Sequence, residues 1–97
     1  FDWENISPAL DKLSEELEEL KTALEEGSNV EEELGDLLFA AVKVGRFAEV
    51  DGETALQSAC EKFIRRFRRV EELAPGRLDG LTVPELEALW RRAKEET

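Results

Sequence analysis

Leucines recur at alternating steps of three and four residues in the first third of the chain, which is the spacing of one face of an α-helix. They stand at Leu10, Leu13, Leu17, Leu20 and Leu24. Ser7-Pro8 precedes them, and serine is a good N-cap while proline suits the first helical position. Gly27 follows them and is typical of a helix C-terminus. The pattern therefore predicts an amphipathic helix that begins at Ser7-Pro8 and ends at Gly27.

A second helix is predicted to follow directly and to end where Asp51-Gly52 interrupts the chain. Its first residues, Ser28-Asn29-Val30-Glu31, have the form of a capping box in which Glu31 reaches back to the N-cap. Apolar residues then surround the helix on nearly all sides, at Val30, Leu34, Leu37, Leu38, Phe39, Ala40, Ala41, Val42 and Val44. Such a helix is expected to be covered on more than one side.

Two more helical segments complete the chain. The third carries an apolar stripe and ends before Ala74-Pro75-Gly76; its members are Leu56, Ala59, Cys60, Phe63, Ile64, Phe67 and Val70. After a loop at 74–81, Thr82-Val83-Pro84-Glu85 forms a second capping box that opens a short last helix. The alternation typical of strands is nearly absent. We therefore expect an all-α fold, an antiparallel bundle of about four helices, with residues 1–97 as a single domain.

The size of the chain bears on its assembly. Ninety-seven residues are near the lower end for one hydrophobic core, and a short helical chain often completes its core by pairing with a copy of itself. A homodimer is therefore expected. The chain begins at Phe1 rather than Met, which leaves open that it is a piece of a longer protein.

Composition excludes several classes of function. The formal net charge of −11 would repel nucleic acid, so no nucleic-acid partner is expected. No apolar run approaches the roughly 20 residues of a membrane span and no signal peptide is visible, so we expect a cytoplasmic protein without a membrane partner. The chain has no histidine, which is the commonest general base and metal ligand. Its one cysteine, Cys60, excludes an internal disulfide and is expected to be buried.

Acidic residues flank the apolar stripes of the first two helices in the same way. Glu16 and Glu33 each lie roughly 70° to one side of their stripe, and Glu19 and Asp36 roughly 130° to the same side. The short turn at Gly27 makes the helices antiparallel neighbours, and the two acidic pairs lie about equally far from that turn. The four carboxylates are therefore expected to face one another across one groove.

Two interpretations of these acids stay open on spacing alone. Bare carboxylates in one groove repel one another, and oxygen ligands of this kind suit hard cations such as magnesium, manganese or calcium. A di-iron centre is excluded, because such bundles use Glu-x-x-His on two helices. The alternative is that two E-x-x-[DE] pairs arise by chance on solvated faces of a chain with 24 acidic residues.

The third helix holds the one basic cluster of this acidic chain. Lys62, Arg66 and Arg69 share one flank of its stripe, where they could bind phosphate, whereas Arg65 and Arg68 point away and are expected to pair with glutamates. Ion pairing with surplus glutamates is the alternative for the first three as well. In the last helix Trp90 and Lys94 lie one turn apart, and Trp90 could be a core residue or a stacking surface.

These segments together resemble a known family. Glu15-Glu16-Leu17-Glu18-Glu19 followed by Glu33-Leu34-Gly35-Asp36 resembles the EExxE…ExxD signature of the MazG-type all-α nucleoside triphosphate pyrophosphohydrolases. The stretches "FDW", "EEELGDLLFA" and "EKFIRRFRRVE" and the ending Trp90-x-x-x-Lys94 are similar to the C-terminal catalytic domain of MazG proteins. The resemblance covers essentially the whole chain in order.

The resemblance implies a function and a set of residues. Magnesium, with manganese as a substitute, would be held by Glu16, Glu19, Glu33 and Asp36. The substrate contacts would be Lys12, Asn29, Glu32, Lys62, Arg66, Trp90 and Lys94. The reaction implied is hydrolysis of a nucleoside or deoxynucleoside triphosphate to the monophosphate and pyrophosphate, a housekeeping reaction of the nucleotide pool. The resemblance also implies a helical dimer in which each site borrows residues from both subunits.

The proton acceptor of this reaction is left to a carboxylate, because histidine is absent, and Glu16 or Glu19 is the expected residue. Two rival functions remain at this point. One is a non-enzymatic helical dimerisation module whose acids only solvate it. The other is a regulatory domain that binds nucleotide without turning it over.

Overall fold

The computed structural model describes residues 2–97 and contains four α-helices in that range. They are α1 (Trp3–Glu26), α2 (Val30–Phe47), α3 (Gly52–Leu73) and α4 (Val83–Glu96), with a short 3₁₀ turn at Leu78–Gly80. No strand occurs within residues 2–97, so the predicted all-α fold is confirmed. The chain divides into two compact units, of which the first ends at Ala55 and the second comprises Leu56–Thr97.

Helices α1 and α2 form a hairpin that makes up most of the first unit. Gly27 ends α1 in the left-handed conformation, with a φ of 69°, which glycine adopts without steric cost. The backbone N–H groups of Gly27 and Ser28 both donate to the carbonyl of Ala23, at 2.8 and 3.1 Å. The predicted C-terminus of the first helix is confirmed, and the tight turn brings α2 back along α1.

The buried face of α1 differs from the predicted leucine stripe. Ile6, Glu16 and Ala23 are its buried residues, whereas Leu17 is 43% exposed and Leu24 is 60% exposed. On α2 the buried residue is Ala40. The surface between the two helices is therefore displaced from the leucines toward the flank that carries Glu16, which places a carboxylate in the packed region.

The predicted start of the first helix at Ser7-Pro8 is wrong. Helix α1 begins at Trp3, and its N-cap is Asp2, whose carboxylate accepts a hydrogen bond from the Glu4 N–H at 2.9 Å. Asp2 is a strong N-cap that lies upstream of Ser7. Pro8 lies inside the helix and forfeits one hydrogen bond near its start, a loss that the remaining turns tolerate.

The capping box predicted at the start of the second helix is also absent. The N-cap of α2 is Asn29 rather than Ser28, and its side chain makes no capping hydrogen bond. Asn29 has a φ of 61°, a left-handed conformation that asparagine tolerates better than most residues. With the helix starting at Val30, Glu31 is its second residue and is not placed to reach back to the N-cap.

The connection from α2 to α3 depends on a close backbone approach. A Cβ atom at Gly45 would lie 3.0 Å from the carbonyl oxygen of Val50, so only glycine fits without a shift. The carboxylate of Asp51 then caps α3, accepting from the Glu53 N–H at 3.1 Å and the Thr54 hydroxyl at 3.0 Å.

The second unit joins α3 to α4 through apolar and charged contacts. The rings of Phe63 and Trp90 lie 5.3 Å apart between centroids, and Val70 and Ala93 are buried. Cys60 is exposed, contrary to the expectation that it is buried. The reason is that the apolar stripe of α3 on which it lies is largely uncovered in the single chain, where Leu56 is 65% exposed.

The capping box of α4 is confirmed and yields a stability prediction. The Thr82 hydroxyl accepts from the Glu85 N–H at 3.3 Å, and the Glu85 carboxylate accepts from the Thr82 N–H at 2.9 Å. The hydrogen bond from the Thr82 backbone lowers the pKa of Glu85. Thr82→Ala is expected to lower the free energy of unfolding by about 1 kcal/mol in urea titrations.

A matched control for this cap is Thr22→Ala on α1. The Thr22 hydroxyl donates only to the carbonyl of Glu18 in the same helix, and alanine is a better helix former. The control is therefore expected to cost nothing. Equal losses in both variants would show that the cap does not stabilise α4.

Candidate active site

Three of the four predicted metal ligands converge where α1 packs on α2. One carboxylate oxygen from each of Glu16, Glu33 and Asp36 lies within 4.8 Å of the other two. Glu16 is 5% exposed, Glu33 is half-buried and Asp36 is exposed. Glu16 comes from α1 and the other two from α2, so the hairpin turn at Gly27 is what brings them together. The structure therefore brings together three of the four carboxylates that were expected to share one groove.

The cluster contains polar atoms without partners. Glu16 Oε2 and Glu33 Oε2 are both buried and accept no hydrogen bond from any residue within 2–97. The other oxygen of Glu16 is paired with Lys12 Nζ at 3.0 Å. Buried oxygens left unpaired destabilise a fold, so native proteins seldom retain them without a ligand or water. The donor set consists only of carboxylate oxygens, which fits a hard divalent cation such as magnesium or manganese.

The fourth predicted ligand, Glu19, lies beside the cluster rather than among its three converging oxygens. Burial raises the pKa of Glu33, and repulsion from Glu19 and Asp36 and a hydrogen bond with Glu19 raise it further. Glu19 is itself exposed. The Glu19 carboxylate is therefore close enough to interact with the Glu33 carboxylate while it remains accessible to solvent.

The raised pKa of Glu33 predicts how stability depends on pH without divalent cations. Because the folded-state pKa lies above the ordinary value of 4.5, the folded protein holds this proton more tightly than the unfolded chain does. This contribution to stability is present below the ordinary value and is lost as the pH rises through the raised pKa. Thermal unfolding in EDTA is expected to show that loss for the wild type and a smaller loss for Glu33→Gln. Parallel pH profiles for the two proteins would contradict it.

A cavity of about 290 Å³ adjoins the carboxylates on the side away from the hairpin turn. Its lining consists of Lys12, Glu16, Asp36, Phe39, Ala40 and Lys43. The Lys43 ammonium lies 4.9 Å from the centroid of the Phe39 ring, in a cation–π contact. Sequence reasoning did not single out Lys43. Its position seven residues after Asp36, on the same helical face, is the signal that could have found it.

The predicted substrate residues at the start of α2 lie on the turn side of the cluster. Asn29 lines a cavity of about 280 Å³ together with Glu19 and Glu33. Asn29 and Glu32 line a neighbouring open cavity of about 660 Å³ that also includes Gly35. The structure therefore brings Asn29 and Glu32 together and places Asn29 next to the acidic cluster.

The remaining predicted substrate residues all belong to the second unit. Trp90 and Lys94 line an apolar cavity of about 550 Å³ together with Phe63 and Phe67. Arg66 donates from Nε to the Thr97 hydroxyl at 3.4 Å. Lys62 is exposed and forms no ion pair with the part of the chain that the structure describes. Trp90 is half-buried with Phe63 beside it, so it is both a packing residue and a wall of a cavity.

The ion pairs of the basic cluster differ from the expected pattern. Arg65 and Arg68, which were expected to pair with glutamates, form no ion pair within residues 2–97. Arg69 instead pairs with Glu96 on α4 and with Glu72 at 2.9 Å. These contacts raise the pKa of Arg69 and lower that of Glu96. Arg69 thus ties α3 to the end of α4.

None of the helices within residues 2–97 is both long enough and apolar enough to cross a bilayer.

The fold and the acidic hairpin agree with a match to a known family. The MazG nucleotide pyrophosphohydrolase domain matches residues 5–71, which include most of α1, all of α2 and most of α3. The chain belongs to this family. No solved structure matches the chain significantly.

Two curated relatives are identical to this chain at about two fifths of the aligned positions. The nucleoside triphosphate pyrophosphohydrolase/pyrophosphatase MazG of Thermotoga maritima is 42% identical over 97 residues, which cover 97% of this chain and 38% of that protein. The nucleoside triphosphate pyrophosphohydrolase of Escherichia coli K12 is 39% identical over 103 residues, covering 99% of this chain and 39% of that protein. The chain thus spans about two fifths of the length of these curated relatives.

A third relative shows the domain in a longer context. The uncharacterized protein YabN of Bacillus subtilis is 40% identical over 70 residues, which cover 69% of this chain and 14% of that protein.

Proposed function

We propose that this chain is a magnesium-dependent nucleoside triphosphate pyrophosphohydrolase. It hydrolyses an NTP or dNTP between the α- and β-phosphates to give the nucleoside monophosphate and pyrophosphate, and so contributes to upkeep of the nucleotide pool. The observation that supports this most is the convergence of Glu16, Glu33 and Asp36 around two unpaired buried oxygens. Such a site suits a hard divalent cation, which would supply positive charge to the phosphates.

The family supplies the reaction class. Two relatives about 40% identical over nearly the whole chain carry the name nucleoside triphosphate pyrophosphohydrolase. Those proteins are more than twice as long as the matched segment, so their activity is proposed for this chain rather than transferred. A cytoplasmic location remains the expectation from sequence.

The carboxylates have distinct proposed roles. Glu16, Glu33 and Asp36 would hold magnesium, with manganese as a substitute, and Glu19 would complete the set beside Glu33. The bound cation would neutralise phosphate charge and lower the pKa of the attacking water. Of the two expected proton acceptors, Glu19 is better placed than Glu16. Glu19 is exposed, whereas Glu16 is buried. One carboxylate oxygen of Glu16 is paired with Lys12, and the other has no hydrogen-bond partner within residues 2–97.

The distribution of charge supports separate roles for the two units. Residues 1–55 contain 16 Asp and Glu but only 4 Lys and Arg, whereas residues 56–97 contain 8 and 9. A triphosphate needs cations as well as a metal site, and guanidinium and ammonium groups are its usual protein contacts. We therefore assign Lys62, Arg66 and Lys94 to the phosphates and Trp90 to the base. In the first unit, Lys12, Asn29 and Glu32 complete the proposed substrate contacts.

A homodimer is part of the proposal. Helix α2 exposes a continuous apolar stripe at Leu34 (44%), Leu38 (58%) and Val42 (47%), on the side that does not face α1. Such a stripe of leucine and valine at steps of four is what a partner helix covers. A second copy of the chain would cover this stripe. Helix α2 would then be covered on more than one side, as its sequence predicts.

One assay tests the proposed reaction against its rivals. The protein is incubated with nucleoside triphosphates and magnesium, and monophosphate and pyrophosphate are quantified. Their appearance in equal amounts is expected. Release of orthophosphate from the triphosphate would place cleavage at another bond and contradict the proposal. Magnesium-dependent nucleotide binding without product would favour a regulatory domain, and neither binding nor product would favour a dimerisation module.

A further inference from the structure

We infer that Lys43 is an additional substrate-binding residue, whose ammonium group binds the β- and γ-phosphates of the triphosphate. This inference deepens the proposed function and depends on it. Lys43 shares one cavity with Glu16 and Asp36 of the metal cluster and with Lys12. The cavity is therefore lined by two carboxylates and two lysines, of which Lys12 is paired with Glu16 at 3.0 Å.

Helix geometry directs Lys43 toward the cluster. Residues 36 and 43 are seven positions apart, so they lie on one face of α2 with an axial separation of about 10.5 Å. Side chains of a helix lean toward its N-terminus, and here that direction leads from Lys43 back toward Asp36. The observed position of the ammonium over the Phe39 ring, one turn closer to Asp36, agrees with this direction.

The hairpin places the second lysine at the same end. Because α2 runs back along α1, residues that precede Glu16 lie beside residues that follow Asp36. Lys12 precedes Glu16 by one turn and pairs with it at 3.0 Å, while Lys43 lines the same cavity from the opposite helix. The two ammonium groups thus approach one cavity from both helices.

Lys43 is also free to take an anionic ligand. Within residues 2–97 it makes no ion pair, although 24 acidic side chains are present in the chain. Its contact with Phe39 holds the ammonium at the cavity without neutralising its charge. A lysine that only solvated the helix would need neither the ring contact nor a position beside the cluster.

Lys43 is assigned to the β- and γ-phosphates because of its position relative to the carboxylates and the other proposed contacts. The proposed contacts Asn29 and Glu32 lie on the turn side of the carboxylates, and Lys12 and Lys43 lie on the far side. A substrate whose scissile bond lies at the metal ligands would extend in both directions. The more highly charged end, with two phosphates, belongs with the two lysines.

The inference is tested by binding measurements on the magnesium-loaded protein. Calorimetry with the α,β-methylene analogue of ATP, with pyrophosphate and with AMP separates the phosphates. Lys43→Met is expected to raise Kd for the analogue and for pyrophosphate about tenfold, the loss of one charge-assisted hydrogen bond, and to leave AMP unchanged. Lys43→Arg keeps the charge and is expected to bind closer to wild type than Lys43→Met does.

The matched control is Lys21→Met, which removes one exposed lysine of α1 whose ion-pair partner among residues 2–97 is Glu18. It changes the net charge equally and is expected to leave all three Kd values unchanged. Wild-type affinity of Lys43→Met for the analogue would overturn the role of Lys43 and leave the proposed enzyme intact. If Lys43→Met bound AMP more weakly to the same degree, or had a lower oligomeric mass than the wild type, the role of Lys43 would also be overturned. Failure of the wild type itself to bind the analogue would overturn both proposals.

Discussion

Glu33→Gln is expected to abolish pyrophosphate release while the protein remains helical. Glu33 interacts with all three of the other acids. One of its carboxylate oxygens lies within 4.8 Å of carboxylate oxygens of Glu16 and Asp36, and Glu33 also interacts with Glu19. Loss of a residue that merely orients a metal ligand typically costs 10- to 100-fold, so loss of a ligand itself is expected to exceed about 100-fold in kcat/KM.

Stability separates this effect from unfolding. Glutamine cannot ionise, so the variant no longer places a charge in a group whose pKa is raised by burial and by neighbouring acids. In EDTA at neutral pH, Glu33→Gln is therefore expected to melt at or above the temperature of the wild type. Added magnesium should raise the melting temperature of the wild type more than that of the variant, since binding to the folded state alone stabilises it.

The matched control is Glu25→Gln, which removes one negative charge from an exposed position of α1 outside the cluster. Its circular dichroism spectrum, turnover and magnesium-induced shift in melting temperature are expected to equal those of the wild type. If Glu33→Gln retains full activity, Glu33 does not bind the metal. If Glu25→Gln loses as much activity as Glu33→Gln, general charge rather than ligation controls the rate.

The helix ends that depend on a few adjacent residues could be predicted from sequence, whereas those that depend on tertiary packing could not. The ends set by Gly27 and Thr82 were predictable, because a left-handed glycine and a capping box depend on a few adjacent residues. The start at Ser7 was mispredicted because Asp2, five residues upstream, caps α1, and the start at Ser28 because α2 begins one residue later, with Asn29 at the N-cap position. Propensity ranks such alternatives closely, and the packing of the helix selects one.

The candidate site was predictable for a related reason. The offset of Glu16 and Glu33 from their stripes and the shortness of the turn are both sequence properties, and together they predict the convergence of the carboxylates. The placement of Lys43 was not predicted, because a single lysine in an apolar helix has no periodicity of its own. Nor could periodicity show that α1 buries Glu16 more fully than Leu17, since it defines an apolar stripe but not which part faces the neighbouring helix.

The apolar surface that α1 and α2 leave exposed predicts how the chain assembles. The leucines that α1 and α2 do not use against each other remain exposed, including Leu17 on α1 and Leu34 and Leu38 on α2. In the proposed dimer they are buried by a second copy, so the wild type is expected to sediment at twice the chain mass of 11.0 kDa.

Leu38→Asp is expected to convert this dimer to monomers. Leu38 is central in the exposed stripe of α2 and 58% exposed in the single chain, so its replacement leaves the packing of α1 on α2 intact. An unpaired aspartate buried at the partner surface loses the apolar contact and adds a desolvation cost, which together are expected to weaken the dimer more than about 100-fold. Sedimentation equilibrium over a range of concentrations measures this directly.

Val83→Asp is the matched control, because Val83 is 66% exposed and is the first residue of α4, where a negative charge favours the helix. It is expected to remain dimeric. If each proposed site takes residues from both subunits, Leu38→Asp should also lose turnover at concentrations where Val83→Asp retains it. A wild type that is monomeric and fully active, or a Leu38→Asp variant that stays dimeric, would show that this stripe does not join the subunits.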